Sequence, residues 1–169
     1  MGHVEIHRFA KAGSYQVPTA HGTPAIVEAK RGDFFLRPLR RIGNQLGLVV
    51  TDPPTVIPRQ AYPDRIAEAV RALLTVSQRP AVETERYREP KWSLERHGAL
   101  IDSRGDGSLQ LRGLNGRGSG NFVGNETLIE VAAEASATEL ARQILEAMGE
   151  RPEEIGAILG GARGRRTRS

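Results

Sequence analysis

The chain has no cysteine, few aromatic residues and no long hydrophobic run. Without cysteine among its 169 residues, disulfide bonds, thiolate metal sites and a cysteine nucleophile are excluded. Aromatic residues make up 5% of the chain, which is lean for a globular protein. No apolar stretch approaches the roughly 18 residues of a membrane-spanning helix, and the start carries no hydrophobic segment of a signal peptide. These absences predict a soluble, cytoplasmic protein.

The length and composition suit one globular domain. With 38% hydrophobic residues, a chain of 169 residues can bury about two-thirds of its unfolded surface. We predict a single α+β domain at 1–160, with similar half-units at about 1–80 and 90–150, and a flexible basic tail at 161–169. Four arginines in this tail account for the whole net charge of +4: Arg163, Arg165, Arg166 and Arg168. A basic tail can bind nucleic acid, but a solvated terminus is the simpler interpretation.

The clearest element of the sequence is a helix that begins at Ser136. Ser136 and Glu139 have the spacing of a capping box, in which each side chain satisfies a backbone amide at the helix start. Apolar residues then recur on one helical face: Leu140, Ile144, Leu145 and Met148. Burying each of them is worth roughly 1.5–3 kcal/mol. A helix this short is marginal alone, so we expect a sheet or another helix beneath it.

Short alternating segments predict an antiparallel sheet in the rest of the chain. The predicted strands are 4–7, 15–17, 25–29, 34–36, 48–51, 99–102, 108–112 and 127–132. A glycine and aspartate turn at 103–107 favours a hairpin, and the proline-rich stretches 52–58 and 82–90 favour connections. A second helix begins at Pro63 and ends near Ser77, with an apolar face formed by Ile66, Val70, Leu73 and Leu74. We therefore predict a mostly antiparallel sheet with amphipathic helices packed on it.

The residues that could carry chemistry do not assemble an active site in the sequence. His3 and His7 share a predicted strand face, but we find no acidic partner or third ligand near them, so a zinc site or general base is a minor alternative. The glycine-rich stretch 115–124 has neither a lysine nor Walker spacing, which favours a flexible loop over a phosphate cradle. We predict no catalytic residue, no cofactor and no metal.

A cluster of basic and aromatic residues lies between Lys30 and Arg41. Its arginines Arg37, Arg40 and Arg41 interleave with phenylalanine and leucine. Such mixing is typical of surfaces that bind single-stranded nucleic acid. An edge strand with charged flanks explains the same pattern, and we favour it.

The motif order from Trp92 to Met148 is similar to that of a known family. A tryptophan-led segment at 91–94 precedes a strand, a turn and the strand at 108–112. A glycine-rich loop with an aromatic follows at 120–122, then a strand and a helix that opens Ser-x-x-Glu-Leu at 136–140. This order resembles immunity proteins of bacterial contact-dependent growth inhibition systems. The earlier strand at 46–50, the prolines and the second helix also fit.

The resemblance implies a cytoplasmic binding protein rather than an enzyme. Its partner would be the C-terminal toxin domain, frequently a nuclease, of its own system's large surface effector, and it would act by steric occlusion. Because such contact surfaces diversify with each toxin, we take candidate partner-binding residues from the loop and the basic cluster: Arg37, Arg40, Arg41, Arg117, Asn121 and Phe122. Two other hypotheses remain open, a nucleic-acid-binding module and a hydrolase that uses His7 or His97.

Overall fold

An antiparallel sheet with two helices on one face forms the frame of this protein, which confirms the predicted α+β class. The computed structural model describes residues 2–17, 23–42, 48–50, 54–81, 94–117 and 121–149. The strands in these ranges are β1 (His3–Phe9), β2 (Gly13–Val17), β3 (Ala25–Ala29), β4 (Phe34–Arg41), β5 (Leu48–Val50), β6 (Thr55–Ile57), β7 (Leu94–Ser103), β8 (Leu109–Arg117) and β9 (Asn121–Val131). The helices are a 3₁₀-helix (Arg59–Ala61), α1 (Asp64–Ser77) and α2 (Ala137–Ala147).

Strand β1 joins the two parts of the chain in one sheet. The large sheet has the order β5-β4-β1-β7-β8-β9, and β6 pairs with β4 beside β5. β1 is antiparallel to β4 on one edge and to β7 on the other. β2 and β3 form a separate two-stranded sheet, and the turn at Arg31–Asp33 leads from it into β4.

The helix-facing side of the large sheet carries the main core. Side chains alternate along a strand, so Val4 and Ile6 of β1 point toward the helices. The predicted apolar faces of both helices meet them, which confirms those two predictions. The fully buried aliphatic residues of this core include Val4, Ile6, Leu36, Ile66, Val70, Ile101, Leu111, Leu140 and Ile144. No helix in the described residues is long and apolar enough to cross a membrane.

The start of α2 confirms half of the predicted capping box. Ser136 Oγ accepts a hydrogen bond from the backbone N–H of Glu139 at 3.1 Å. The carboxylate of Glu139 does not return to Ser136. Instead it accepts from Arg142 Nη2 at 2.8 Å and Gln143 Nε2 at 2.9 Å. The helix start is therefore capped by the serine alone, and the glutamate stabilises the exposed side of the first turns.

Three sequence predictions about strands are wrong. β4 pairs on both edges, so the basic cluster does not belong to an edge strand. β6 lies inside the proline-rich stretch 52–58, because Pro54 and Pro58 flank its three residues without interrupting them. The glycine-rich stretch 115–124 is largely strand, since β8 extends to Arg117 and β9 begins at Asn121. The predicted linker 82–90, the residues 91–93 and the basic tail 161–169 lie outside the described residues.

Candidate functional site

The face of the large sheet opposite the helices, here called the open face, carries polar side chains. In β1 the alternation puts His3, Glu5 and His7 on this face. One row of register partners crosses it from strand to strand. From β4 to β9 this central row consists of Arg37, Glu5, Leu100, Arg112 and Leu128. The row is buried at Arg37 and exposed at Leu128, so only its Leu128 end is accessible from solvent.

The buried end of the row is an ion pair between Glu5 and Arg37. These residues are 8% and 5% exposed. Arg37 Nη2 donates to Oε1 and Oε2 of Glu5 at 3.1 Å each, and its Nε donates to Oε2 at 3.3 Å. His7 Nε2 is also hydrogen-bonded to Glu5 Oε1. Since a carboxylate only accepts hydrogen bonds, His7 is the donor in this contact.

The electrostatics of this cluster keep Glu5 ionised. Burial would raise the pKa of the Glu5 carboxyl, but the hydrogen bond from His7 and the positive charge of Arg37 outweigh it and lower the pKa from 4.5 to about 2. A buried charge without partners would be costly, whereas here the same carboxylate has two. The cluster thus ties β1 to β4 on the open face.

His7 is enclosed by described residues on both sides of its ring. Its ring is fully buried and stacks on Phe35, with the ring centroids 4.9 Å apart and the planes at 13°. On its other side lies Gly98, where an added Cβ would stand 2.2 Å from His7 Nδ1. The ring centroids of Phe9 and Phe35 are 5.7 Å apart, and Phe9 stacks on Tyr15 of β2 with a centroid distance of 5.2 Å. The small sheet therefore covers the side of the open face that contains His7.

The sequence prediction that His3 and His7 lack an acidic partner is wrong. Glu5 stands between them on the same strand face and holds His7. His3 Nδ1 forms a contact of 2.6 Å with Asp102 Oδ1, its register partner on β7. The alternating pattern His-x-Glu-x-His was visible in the sequence and could have indicated the first pair. The second pair could not be found, because Asp102 comes from a distant strand.

At the exposed end of the row, Arg112 and Leu128 face solvent. Leu128 is 54% exposed, and Arg112 is also exposed. Leu100 and Leu114 beside Arg112 are half-buried. In the described part of the chain, Arg112 forms no ion pair or side-chain hydrogen bond. A cation among apolar side chains on an exposed sheet surface is suited to contact with another macromolecule.

The structure separates the three predicted arginines of the basic cluster. Arg37 is held by Glu5. Arg40 is 9% exposed and donates to the backbone carbonyls of Arg79 at 3.0 Å and Pro80 at 2.9 Å. Arg41 is exposed. Two of the three arginines of the basic cluster therefore bind groups of the protein itself.

The other three predicted site residues come together at one end of the β8–β9 hairpin. In the backbone register, Arg117 of β8 lies opposite Asn121 of β9, and Gly116 lies opposite Phe122. This end of the hairpin belongs to the same two strands, β8 and β9, that carry Arg112 and Leu128. His97 belongs to β7, and His21 lies outside the described residues.

A cavity of about 260 Å³ lies between α1 and the β7–β8 turn. It is lined by Arg71, Leu74, Gln78, Ser103, Gly107, Leu109, Val131, Ala132 and Ala133. This lining has neither a histidine nor a carboxylate, so the His7–Glu5 pair and the cavity are separate features. Among the described residues, no group of three His, Asp or Glu side chains could hold a metal ion.

Comparison of the chain with protein-family models, with curated proteins and with solved structures gave no match. Two features of the protein bear on its function, the motif order of its sequence and the geometry of the open face. Of the features on that face, the exposed end of the central row is accessible to a partner. The buried end is not.

Proposed function

We propose that this protein is a non-enzymatic immunity protein, which binds and neutralises the C-terminal toxin domain of a contact-dependent growth inhibition effector in the cytoplasm. The order of sequence motifs from Trp92 to Met148 supports the class, with the difference that Asn121 and Phe122 of the glycine-rich motif belong to strand β9 and not to a loop. The exposed end of the central row carries the proposal, because Arg112 and Leu128 face solvent on a sheet whose other face is buried under helices. The bound protein would cover the toxin's active site or an adjacent surface and so exclude its substrate.

The rigidity of the sheet favours tight binding. β7 and β8 pair with neighbours on both edges, and β1 is locked to β4 by the Glu5 cluster. The backbone of such strands is already ordered before a partner arrives, so less of the interaction energy is spent on ordering it. A typical interface of about 800 Å² per partner can then reach high affinity, and colicin-type toxin–immunity pairs are near the known limit.

The nucleic-acid-binding alternative has less support. It depended on the basic cluster and the arginine tail. Arg37 and Arg40 use their guanidinium groups inside the protein, so they are not available to phosphates. The tail lies outside the described residues.

The direct test is binding and protection. If a gene for a large surface effector lies beside that of this protein, the chain is co-expressed with the C-terminal domain of that effector, and complex formation is measured by size-exclusion chromatography. We expect a stable complex and restored growth, with neither result for a toxin domain from an unrelated system. Absence of both complex and rescue would reject the proposal. Retention on nucleic acid that falls steeply with salt would favour the alternative.

A further inference from the structure

Arg112 is framed by three leucines on the open face. Leu100 of β7 and Leu128 of β9 are its register partners on either side. Leu114 lies two residues further along β8 on the same face, opposite Gly98. Directly opposed side chains in antiparallel strands have Cβ atoms about 4.5–5.5 Å apart, so the stem of Arg112 rises from an apolar floor. We call these four residues the Arg112 patch.

Among the described side chains, the two acidic residues of the adjacent row already have partners. In the adjacent row, Asp102 contacts His3 at 2.6 Å and Glu130 forms an ion pair with Arg104 at 3.1 Å. Arg112 has no such contact within the described residues, and its register partners are both leucines. Within the described residues, Arg112 therefore carries a positive charge without an ion-pair partner, and its two direct register partners are apolar.

This arrangement has a specific chemical complement. A guanidinium binds a carboxylate through two parallel hydrogen bonds, and exclusion of water strengthens the pair. Arginine is enriched among the residues that dominate interface energies, especially where surrounding contacts keep water away. The leucines can keep water away from the guanidinium–carboxylate pair only if the partner also contributes apolar side chains. A phosphate backbone, which needs several cations and no leucines, fits the patch poorly.

We infer that the Arg112 patch is the anchor for the partner protein, and that it docks a surface aspartate or glutamate flanked by aliphatic or aromatic side chains. The inference rests on the proposed function, in which that partner is the toxin domain. Arg112 would receive the carboxylate, and Leu128, at 54% exposure, would contact the largest apolar neighbour. The leucines at 100 and 114 would close the sides.

The first experiment measures the dissociation constant of the complex with the toxin domain by isothermal titration calorimetry. We expect Arg112→Glu to weaken binding by at least about 30-fold, and Leu128→Asp by about 10-fold or more. Arg112→Gln, which keeps a polar side chain but removes the charge, should also weaken it. The matched controls are Arg65→Glu, an exposed arginine on α1, and Ile26→Asp, a 69% exposed residue on β3. Both should bind like the wild type.

The second experiment identifies the carboxylate by charge exchange. Surface acidic residues of the toxin domain are replaced one at a time by lysine, and each variant is titrated against Arg112→Glu. One of them should recover most of the lost affinity, while binding the wild-type chain more weakly. Thermal unfolding of every variant verifies that it is folded.

The outcomes separate the patch from the proposed function. If the wild type binds and Arg112→Glu, Arg112→Gln and Leu128→Asp bind equally well, the patch is not the anchor, although the proposed function stands. If Arg112→Glu loses affinity and no lysine replacement in the toxin domain restores it, the proposal that Arg112 binds a carboxylate is rejected. Failure of the wild-type chain to bind the toxin domain would reject both.

Discussion

At the scale of single residues, the Glu5 carboxylate is a buried charge whose pKa is lowered by its two partners. It is 8% exposed, yet it stays ionised because Arg37 and His7 both donate to it. Removing one partner of a buried charged pair is strongly destabilising, because the other is left uncompensated. The Glu5 cluster therefore stabilises the fold at the open face, and its contribution can be measured as a change in the free energy of unfolding.

We expect acid stability to depend on Glu5. Its pKa falls from 4.5 to about 2 on folding, which corresponds to about 3 kcal/mol of stabilisation. Because the folded pKa is the lower one, this contribution is complete above the unfolded pKa and disappears as the pH falls through about 2. Glu5→Gln should lower the free energy of unfolding at neutral pH by about 3 kcal/mol, and should flatten its decline between about pH 5 and pH 2.

Urea denaturation of the variant and the wild type at a series of pH values tests this expectation. Glu130→Gln is the matched control, since its side chain is 67% exposed and should change neither the stability nor its pH dependence appreciably. If Glu5→Gln declined with acid as steeply as the wild type, another group would have to be responsible.

At the scale of elements, the helices were the most predictable part of the chain. The apolar positions of α1 and α2 repeat with the helical period, and the core receives them as expected. The cap at Ser136 was equally predictable from the sequence. The hydrogen bonds that Glu139 accepts from Arg142 and Gln143 were not predicted, because these two side chains compete with the backbone N–H of Ser136 for the Glu139 carboxylate.

Ser136→Ala should destabilise the protein by about 1 kcal/mol, because the N–H of Glu139 loses its side-chain acceptor. Ser136→Asp should retain most of the stability, as aspartate caps equally well. Thr138→Ala, an exposed change in the same helical turn, is the control. Thermal and chemical unfolding measure the differences. Equal stability of Ser136→Ala and the wild type would mean that solvent satisfies this amide.

The strands were harder to predict at their ends. Glycine disfavours strand structure, so the run from 115 to 124 favoured a loop. β8 nevertheless continues to Arg117, because pairing with β9 satisfies its backbone groups. β6 was missed for a related reason. Its three residues lie between prolines and form a strand only because the edge of β4 is there to pair with.

At the scale of the whole molecule, the two sheets differ in how they are held. β1 lies in the interior of the large sheet and is buried along most of its length. The β2–β3 sheet has two strands, mostly exposed residues, and an attachment through Phe9, Tyr15 and Ala29. A two-stranded sheet is marginal without such support. Local opening should therefore begin there.

Hydrogen exchange should rank the strands accordingly. Amides of β1 that pair with β4 and β7 should exchange slowest, through global unfolding, and those of β2 and β3 fastest. The β7–β8 hairpin is an internal comparison, with antiparallel pairing like that of β2–β3 but a buried core face. Protection of β2 equal to that of β1 would contradict the distinction.

The sequence by itself determined the α+β class, both helical faces, the Ser136 cap and the positions of most strands, because these depend on periodicity and on neighbours a few residues apart. Only the tertiary structure decided which charged residues are buried. Arg37 and Arg40 belong to a pattern that indicated a binding surface, yet their partners are a carboxylate on β1 and carbonyls after α1. The same pairing of distant strands leaves Arg112 between two leucines in solvent. Burial of a charge is set by what the fold brings beside it, and local sequence does not contain that information.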